Sequence, residues 1–301
     1  MSVRNGVKQR QLSVTEQQGF PYDVTGSGVW RPALKEFGGE TFVVEVVREA
    51  SLAIMEIYGR NEFTATGKDD GSPITEADLC AAALIEKALK ERTGLPVVCE
   101  EGVLSAEHPG DLFWLVDPLD GTKEFIDRNG EFSVNVALVY KAHPVVGVIG
   151  VPVTGEAYVA VAGSGAHVIR EGRSSVVRNT RRGSDFIAAV SRSHAAPGVT
   201  NYLTALGVTR MIQCGSALKF CKVASGESDL YVRFGRTMEW DTAAGHCILE
   251  ESGCRIFNAA DGAPLTYGKK GFANPSFIAC RADIDVPVGQ EPAEVRVPPK
   301  V

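Results

Sequence analysis

Apolar side chains recur at helical spacing between residues 39 and 58, where Phe42, Val43, Val46, Val47, Ala50, Ile54 and Ile57 fall on one face. This period predicts an amphipathic helix. A polar loop follows over 67–73, and a second helix is predicted from Thr75 to about Arg92, carrying Leu79, Ala83, Leu84, Ala88 and Leu89. Thr75 and Asp78 have the spacing of a capping box, with Asp in place of the usual Glu. The pattern then changes to short apolar runs broken by turns. Segments 96–99 and 112–116 read as buried strands that each end in acidic residues. Segments 132–140, 145–151, 157–162 and 167–170 read as successive antiparallel strands. After a basic loop at 178–183, strands (186–191, 209–214, 230–233) alternate with helices (198–206, 216–225, 242–252).

Helices, an antiparallel sheet and then alternating elements predict a layered α+β chain with two coupled halves. The chain has 301 residues, about twice the commonest domain length. Residues 1–35 are polar and rich in turn formers, without periodicity, and read as an N-terminal extension. The halves are placed at 36–183 and 184–283, and the Pro- and Glu-rich stretch 284–301 reads as a tail.

An apolar fraction of 44% with 23% charged residues fits a globular protein with a sizeable core. No apolar run approaches the ~20 residues that span a bilayer, and no apolar signal segment follows the basic start. Seven cysteines form no C-x-x-C pair and suit reduced thiols in a cytoplasmic protein. No two pairs of Cys or His share ligand spacing, so no zinc site is expected. The 31 basic and 37 acidic residues give a net charge of −6, which argues against nucleic-acid binding and raises the question of where the carboxylates collect.

Glu100 and Glu101 end one predicted strand, and Asp117 and Asp120 end the next. Asp241 stands immediately before a predicted helix. Adjacent strands ending on one edge would gather these groups, and clustered carboxylates repel unless a cation neutralises them. In Asp117-Pro-Leu-Asp-Gly-Thr122, Pro118 bends the strand end and Gly121 permits a tight turn. Two carboxylates and the Leu119 carbonyl can then face one point. Oxygen-only ligands select a hard cation such as Mg²⁺. The Gly121 and Thr122 amides are placed to hold a phosphate. An isolated D-x-x-D-G is as often plain turn chemistry, and Asp241 alone is an ordinary helix cap. The buried strand before the turn and the second acidic strand end favour the metal reading.

With D-P-L-D-G-T at Asp117–Thr122 and W-D-T-A-A-G from Trp240, preceded by Glu100-Glu101, the sequence resembles the inositol monophosphatase superfamily of Mg²⁺-dependent, lithium-sensitive phosphatases. The resemblance covers about 39–280. It implies the layered α/β/α/β/α sandwich of the sugar phosphatases. It also implies metal ligation by Glu100, Asp117, the Leu119 carbonyl, Asp120 and Asp241, with two to three Mg²⁺ ions. Asp78 and Thr122 match the pair that orients and deprotonates the attacking water. Read alone, Asp78 is a first-turn residue favoured by the helix dipole.

Lys123-Glu-Phe125 after the D-G-T, Ser191-Arg-Ser-His194, and Gly215-Ser-Ala-Leu-Lys219 with Arg233 downstream resemble the 3'(2'),5'-bisphosphate nucleotidase (CysQ-like) branch. In that branch the residues matching His194, Ser216, Lys219 and Arg233 hold the nucleotide, and two cations with a hydroxyl suit a second phosphate. The resemblance implies hydrolysis of adenosine 3',5'-bisphosphate to AMP, and of its sulfated relative, in sulfur assimilation and nucleotide recycling. Val232 and Arg236 stand where many members of the branch carry proline. The competing readings are an inositol or sugar monophosphatase, and a catalytically silent nucleotide or metal sensor. The expected partner is a small phosphorylated nucleotide, with the chain a monomer or a homodimer.

Overall fold

Within Leu112–Asp120, Phe113 and Leu115 are buried in one apolar cluster while Trp114 and Val116 are buried in another. A strand covered on both faces requires this continuous apolar run. The computed structural model describes residues 29–68, 71–102, 108–181, 183, 185–192 and 197–290.

The elements begin with α1 (Trp30–Phe37), α2 (Gly39–Tyr58), β1 (Ala65–Gly67), β2 (Pro73–Thr75), α3 (Glu76–Thr93), β3 (Val97–Cys99), β4 (Leu112–Asp120) and α4 (Thr122–Ile126). They continue through β5 (Ser133–Tyr140), β6 (His143–Val151), β7 (Glu156–Val161), β8 (Gly165–Arg170) and β9 (Arg173–Val177). The remainder comprises β10 (Ile187–Ser191), α5 (Pro197–Ala205), β11 (Arg210–Cys214), α6 (Leu218–Ser225), β12 (Leu230–Arg233), β13 (Thr237–Met238), α7 (Glu239–Glu251), β14 (Cys254–Asn258), β15 (Ala273–Asn274) and β16 (Phe277–Arg281).

A seven-stranded sheet has the order β3-β4-β5-β6-β7-β8-β9, with β3 and β4 parallel and the other neighbours antiparallel. A five-stranded sheet has the order β11-β10-β12-β16-β14, parallel across its first three strands. Apolar residues of α2 and α3 cover one face of the larger sheet. Its other face meets α6 and α7, which also meet Ala189, Tyr231 and Ala279 of the smaller sheet. The far face of that sheet buries Val199, Tyr202 and Leu203 of α5 against Ala188, Val190 and Ile278. The result is the expected α/β/α/β/α sandwich, with α6 and α7 as the shared central layer.

Close approach in that layer depends on glycine. A Cβ at Gly245 would lie 2.4 Å from the ring of Phe220 in α6. Any larger residue there would drive the two central helices apart.

Three local readings change. Residues from Trp30 do not belong to a polar extension: α1 buries Trp30 and Leu34, and Pro32 is tolerated because it lies in the first helical turn. Burial of such side chains is worth about 1.5–3 kcal/mol each. The stretch after residue 283 is not a free tail at its start, since Ile284 and Val286 are buried and the Tyr202 hydroxyl donates to the Pro287 carbonyl at 2.6 Å. The edge strand β9 has one buried residue in five, so it carries no inward apolar period to read.

Candidate active site

Register brings the acidic strand ends together. In the parallel β3–β4 pair Cys99 lies opposite Val116, so Glu100 follows one strand where Asp117 continues the next. The Glu100 amide extends the ladder by donating to the Val116 carbonyl at 3.0 Å. Strand β4 runs on through the carboxylates to Asp120, further than the apolar run indicates. Asp117 pairs with Asn135 and Asp120 with Ser133, so three steps on β4 oppose two on β5. Such a bulge re-aims side chains that would otherwise alternate between faces, and both aspartates line the same cleft of about 300 Å³.

Asp241 reaches the cleft from α7. It lies in the first turn of that helix, not ahead of it, and its Oδ2 accepts the Met238 amide at 2.7 Å. Its capping partner is thus the residue before the helix. Candidate ligand oxygens of Glu100, Asp117 and Asp241 lie within 4.8 Å of one another. Burial, then repulsion from Glu100, Asp120 and Asp241, pushes the Asp117 carboxyl well above its ordinary range. Asp241 is raised by burial and by Asp120. Burial raises Asp120 to about 6, opposed by Lys219 and by an Asn135 amide 3.4 Å away. An all-oxygen set that resists full ionisation without a counter-charge fits a hard divalent cation. Leu119 lines the same cleft. Lys68 donates to Glu100 at 2.8 Å and to Glu101 at 2.7 Å. Lys68 is a contact that no motif announces.

Gly121 turns the chain from β4 into α4 at φ 94°, and a Cβ there would lie 3.2 Å from the Glu131 carbonyl and 3.3 Å from Ser216. Backbone conformation and space both demand glycine. The turn delivers Thr122, whose hydroxyl donates to Asp78 Oδ1 at 3.0 Å. Asp78 Oδ2 accepts the Thr75 amide at 2.8 Å and the Thr75 hydroxyl. The predicted capping box therefore exists, and it also fixes the carboxylate that meets Thr122. Burial raises the Asp78 pKa, against the pull of the Thr75 and Thr122 hydrogen bonds.

Across the cleft stand Ser216, Lys219 and Arg233. Lys219 is buried, and its ammonium donates to the Ser216 carbonyl at 2.5 Å. Burial lowers its pKa, partly offset by Cys214 and Asp120. Ser216 precedes α6 at φ 47° and does not cap it. The Ser216 hydroxyl and Arg233 Nε are buried with no hydrogen-bond partner among the described residues. Buried polar groups are paired in the great majority of cases, and these two cleft residues keep unused hydrogen-bonding capacity. His194 lies outside the described residues. Two further contacts escape sequence reading: Arg192 donates to both oxygens of Glu131 at 2.6 Å, and Glu131 accepts the Gly215 amide at 2.8 Å. They tie the end of β10 and the approach to α6 to the loop after α4. No helix among the described residues is long and apolar enough to cross a membrane.

Fold and site together define a family: the chain belongs to the inositol monophosphatase family, whose model matches residues 39–283. Within it, the chain is similar to the 3'(2'),5'-bisphosphate nucleotidase CysQ of Escherichia coli K12, at 40% identity over 246 residues that cover 78% of this chain and 96% of that protein. CysQ of Buchnera aphidicola is 34% identical over 262 residues, covering 85% of this chain and 96% of that protein. The crystal structure of CysQ from Bacteroides thetaiotaomicron has a TM-score of 0.72 and 39% identity, covering 80% of this chain and 96% of that one.

Proposed function

We propose that this chain is a Mg²⁺-dependent phosphatase that removes the 3'-phosphate of adenosine 3',5'-bisphosphate, leaving AMP and inorganic phosphate. The observation that carries this reading is the pairing of two unlike walls in one cleft. One wall is carboxylates that demand a cation. The other holds Lys219, Arg233 and Ser216, with two buried donors unmatched. A substrate with one phosphate needs only the first wall, whereas a bisphosphate needs both. A second cavity of about 390 Å³ adjoins through Ser191 and Arg233 and is lined by Val190, Val199, Met211 and Val232. Its mixed apolar lining suits a flat heterocycle.

Glu100, Asp117, Asp120, Asp241 and the Leu119 carbonyl would hold Mg²⁺, as two to three ions during turnover. When bound there, Mg²⁺ supplies Lewis-acid polarisation of the phosphate and acidifies water. Thr122 donates its own proton to Asp78, which leaves its lone pairs to accept a hydrogen bond from the attacking water. As the water attacks phosphorus, its proton passes to Thr122 Oγ1 and the threonine proton moves to Asp78. The raised Asp78 pKa makes that transfer easier. The Gly121 and Thr122 amides meet the phosphate oxygens, and Lys219, Arg233, Ser216 and His194 hold the 5'-phosphate. The bond between phosphorus and the ribose 3'-oxygen breaks, that oxygen takes a proton from solvent water and leaves as a hydroxyl, and Asp78 returns its proton to solvent.

Chromatography of the reaction products tests the regiochemistry. AMP bearing a 5'-phosphate is the expected nucleotide, and accumulation of 3'-AMP would overturn the reading. The sulfated nucleotide, assayed in the same way, should lose its 3'-phosphate too.

A further inference from the structure

Away from the cleft, His143 at the start of β6 and His246 and Glu250 on α7 form a compact cluster whose ligand-type atoms lie within 4.8 Å of one another. His143 Nε2 is 2.8 Å from Glu250 Oε2, and His246 Nε2 is 3.0 Å from Glu250 Oε1. The imidazole planes cross at 82° with centroids 5.1 Å apart, so both rings present Nε2 to one carboxylate from different directions. Both histidines are buried, whereas the Glu250 side chain keeps 19% of its surface exposed and opens a path from solvent.

We infer that His143, His246 and Glu250 form a second metal site, which takes a borderline transition ion of the Zn²⁺ class and not the Mg²⁺ of the active-site carboxylates. Two imidazoles and one carboxylate are the donor set that suits zinc, whereas Mg²⁺ demands oxygen and several retained waters. Tetrahedral zinc with bonds of about 2.0–2.1 Å spaces its ligand atoms about 3.3 Å apart, and the two imidazole-to-carboxylate separations of 2.8 and 3.0 Å lie within about 0.5 Å of that spacing. Three protein ligands leave a fourth position for water.

The surroundings orient one of the two rings. His246 Nδ1 is 2.9 Å from the Tyr267 hydroxyl, which is 3.3 Å from Thr242 Oγ1. With Nε2 on the metal, Nδ1 carries the proton and donates it to Tyr267, and Tyr267 donates onward to Thr242. Such partners fix the tautomer and orientation of a ligating ring. Charge points the same way. Burial lowers the His246 pKa and favours the neutral ring, while the histidines hold Glu250 ionised against its burial. No lysine or arginine among the described residues pairs with Glu250. A cation bound there therefore meets a shielded, ionised carboxylate. His143 and His246 are far apart in sequence, so no local spacing signals the site.

The test titrates Zn²⁺, and separately Co²⁺, into the full chain after chelator treatment, with Mg²⁺ saturating the active-site carboxylates. One equivalent should bind, and Co²⁺ should show the visible ligand-field bands of a tetrahedral nitrogen-containing site. His143→Gln and His246→Gln should each abolish that equivalent. Glu250→Gln guards against misfolding of the histidine variants and should weaken it more than tenfold, and Tyr267→Phe by about tenfold. All four should retain Mg²⁺-dependent phosphate release, which reports intact folding. Absence of binding by the wild-type chain, or an unchanged stoichiometry in folded histidine variants, would overturn the inference.

Discussion

The Thr122 hydroxyl and Asp78 Oδ1 meet at 3.0 Å across 44 residues of sequence, joining the turn after β4 to the first turn of α3. Neither element makes this pair by itself, and the contact exists because the capping box holds Asp78 in place from the other side. Thr122→Ala should therefore lower kcat by about 10²–10⁴, the range for loss of general-base assistance, with little change in KM. Thr122→Ser should restore most of the rate. Steady-state kinetics of the two variants check this, and equal losses in both would disconnect the hydroxyl from the proton path.

Removal of the metal should invert the usual pH trend of stability. A carboxyl with a folded pKa above its unfolded value binds more protons when folded, so stability falls as pH rises between those two values. For Asp120 the window runs from 3.8 to about 6, and Asp117 and Asp241 are raised in the same direction. In excess EDTA the melting temperature at pH 5.5 should exceed that at pH 7.5 by on the order of 5 °C. Saturating Mg²⁺ should erase the difference, because cation binding favours the ionised form. Calorimetry in both buffers gives the answer, and identical metal-free values would contradict the proposed repulsion.

Arg233→Ala should separate recognition of the second phosphate from chemistry at the first. A hydrogen bond to a charged group is worth about 1.5–3 kcal/mol, so KM for adenosine 3',5'-bisphosphate should rise about 10- to 100-fold. Hydrolysis of 3'-AMP, which lacks the 5'-phosphate, should change much less. Parallel kinetics on the two nucleotides measure the contrast. Equal losses on both would place Arg233 outside the second-phosphate subsite.

Gly121→Ala should be severe at a position that is not itself a metal ligand. A methyl group there meets the Glu131 carbonyl at 3.2 Å in a left-handed backbone. The strain should cost about 1–3 kcal/mol in stability, and displacement of Thr122 should remove most of the activity. Denaturant melts and turnover assays on the same preparation test both effects. A variant of normal activity would mean that the turn tolerates relocation.

Much of this molecule was legible from local pattern. The helical period of α2, the capping box of α3, the apolar runs of β4 to β8 and the two acidic strand ends all state their structure within a few residues. Composition and spacing alone lead to a cation site and a phosphate-holding turn; the roles of Asp78 and the Thr122 hydroxyl come only with the resemblance. What stayed hidden was non-local. The burial of Lys219, the clamp of Lys68 on Glu100 and Glu101, and the Glu131–Arg192 pair each arise from elements distant in sequence. The α1 helix escaped notice because only Trp30 and Leu34 of its eight residues are buried, too few to set a period. Local pattern puts Asp241 ahead of its helix because Glu239 and Trp240 do not look like a start, whereas Asp241 itself caps the Met238 amide.

The most direct measurement is initial-rate phosphate release from adenosine 3',5'-bisphosphate and from inositol 1-phosphate, side by side in Mg²⁺, for the wild-type chain and for Asp120→Asn. The expected result is a kcat/KM at least 100-fold higher for the nucleotide, with activity abolished in a variant that still folds. A preference for inositol 1-phosphate, or an Asp120→Asn variant of near-normal rate, would contradict the assignment of the two walls of the cleft.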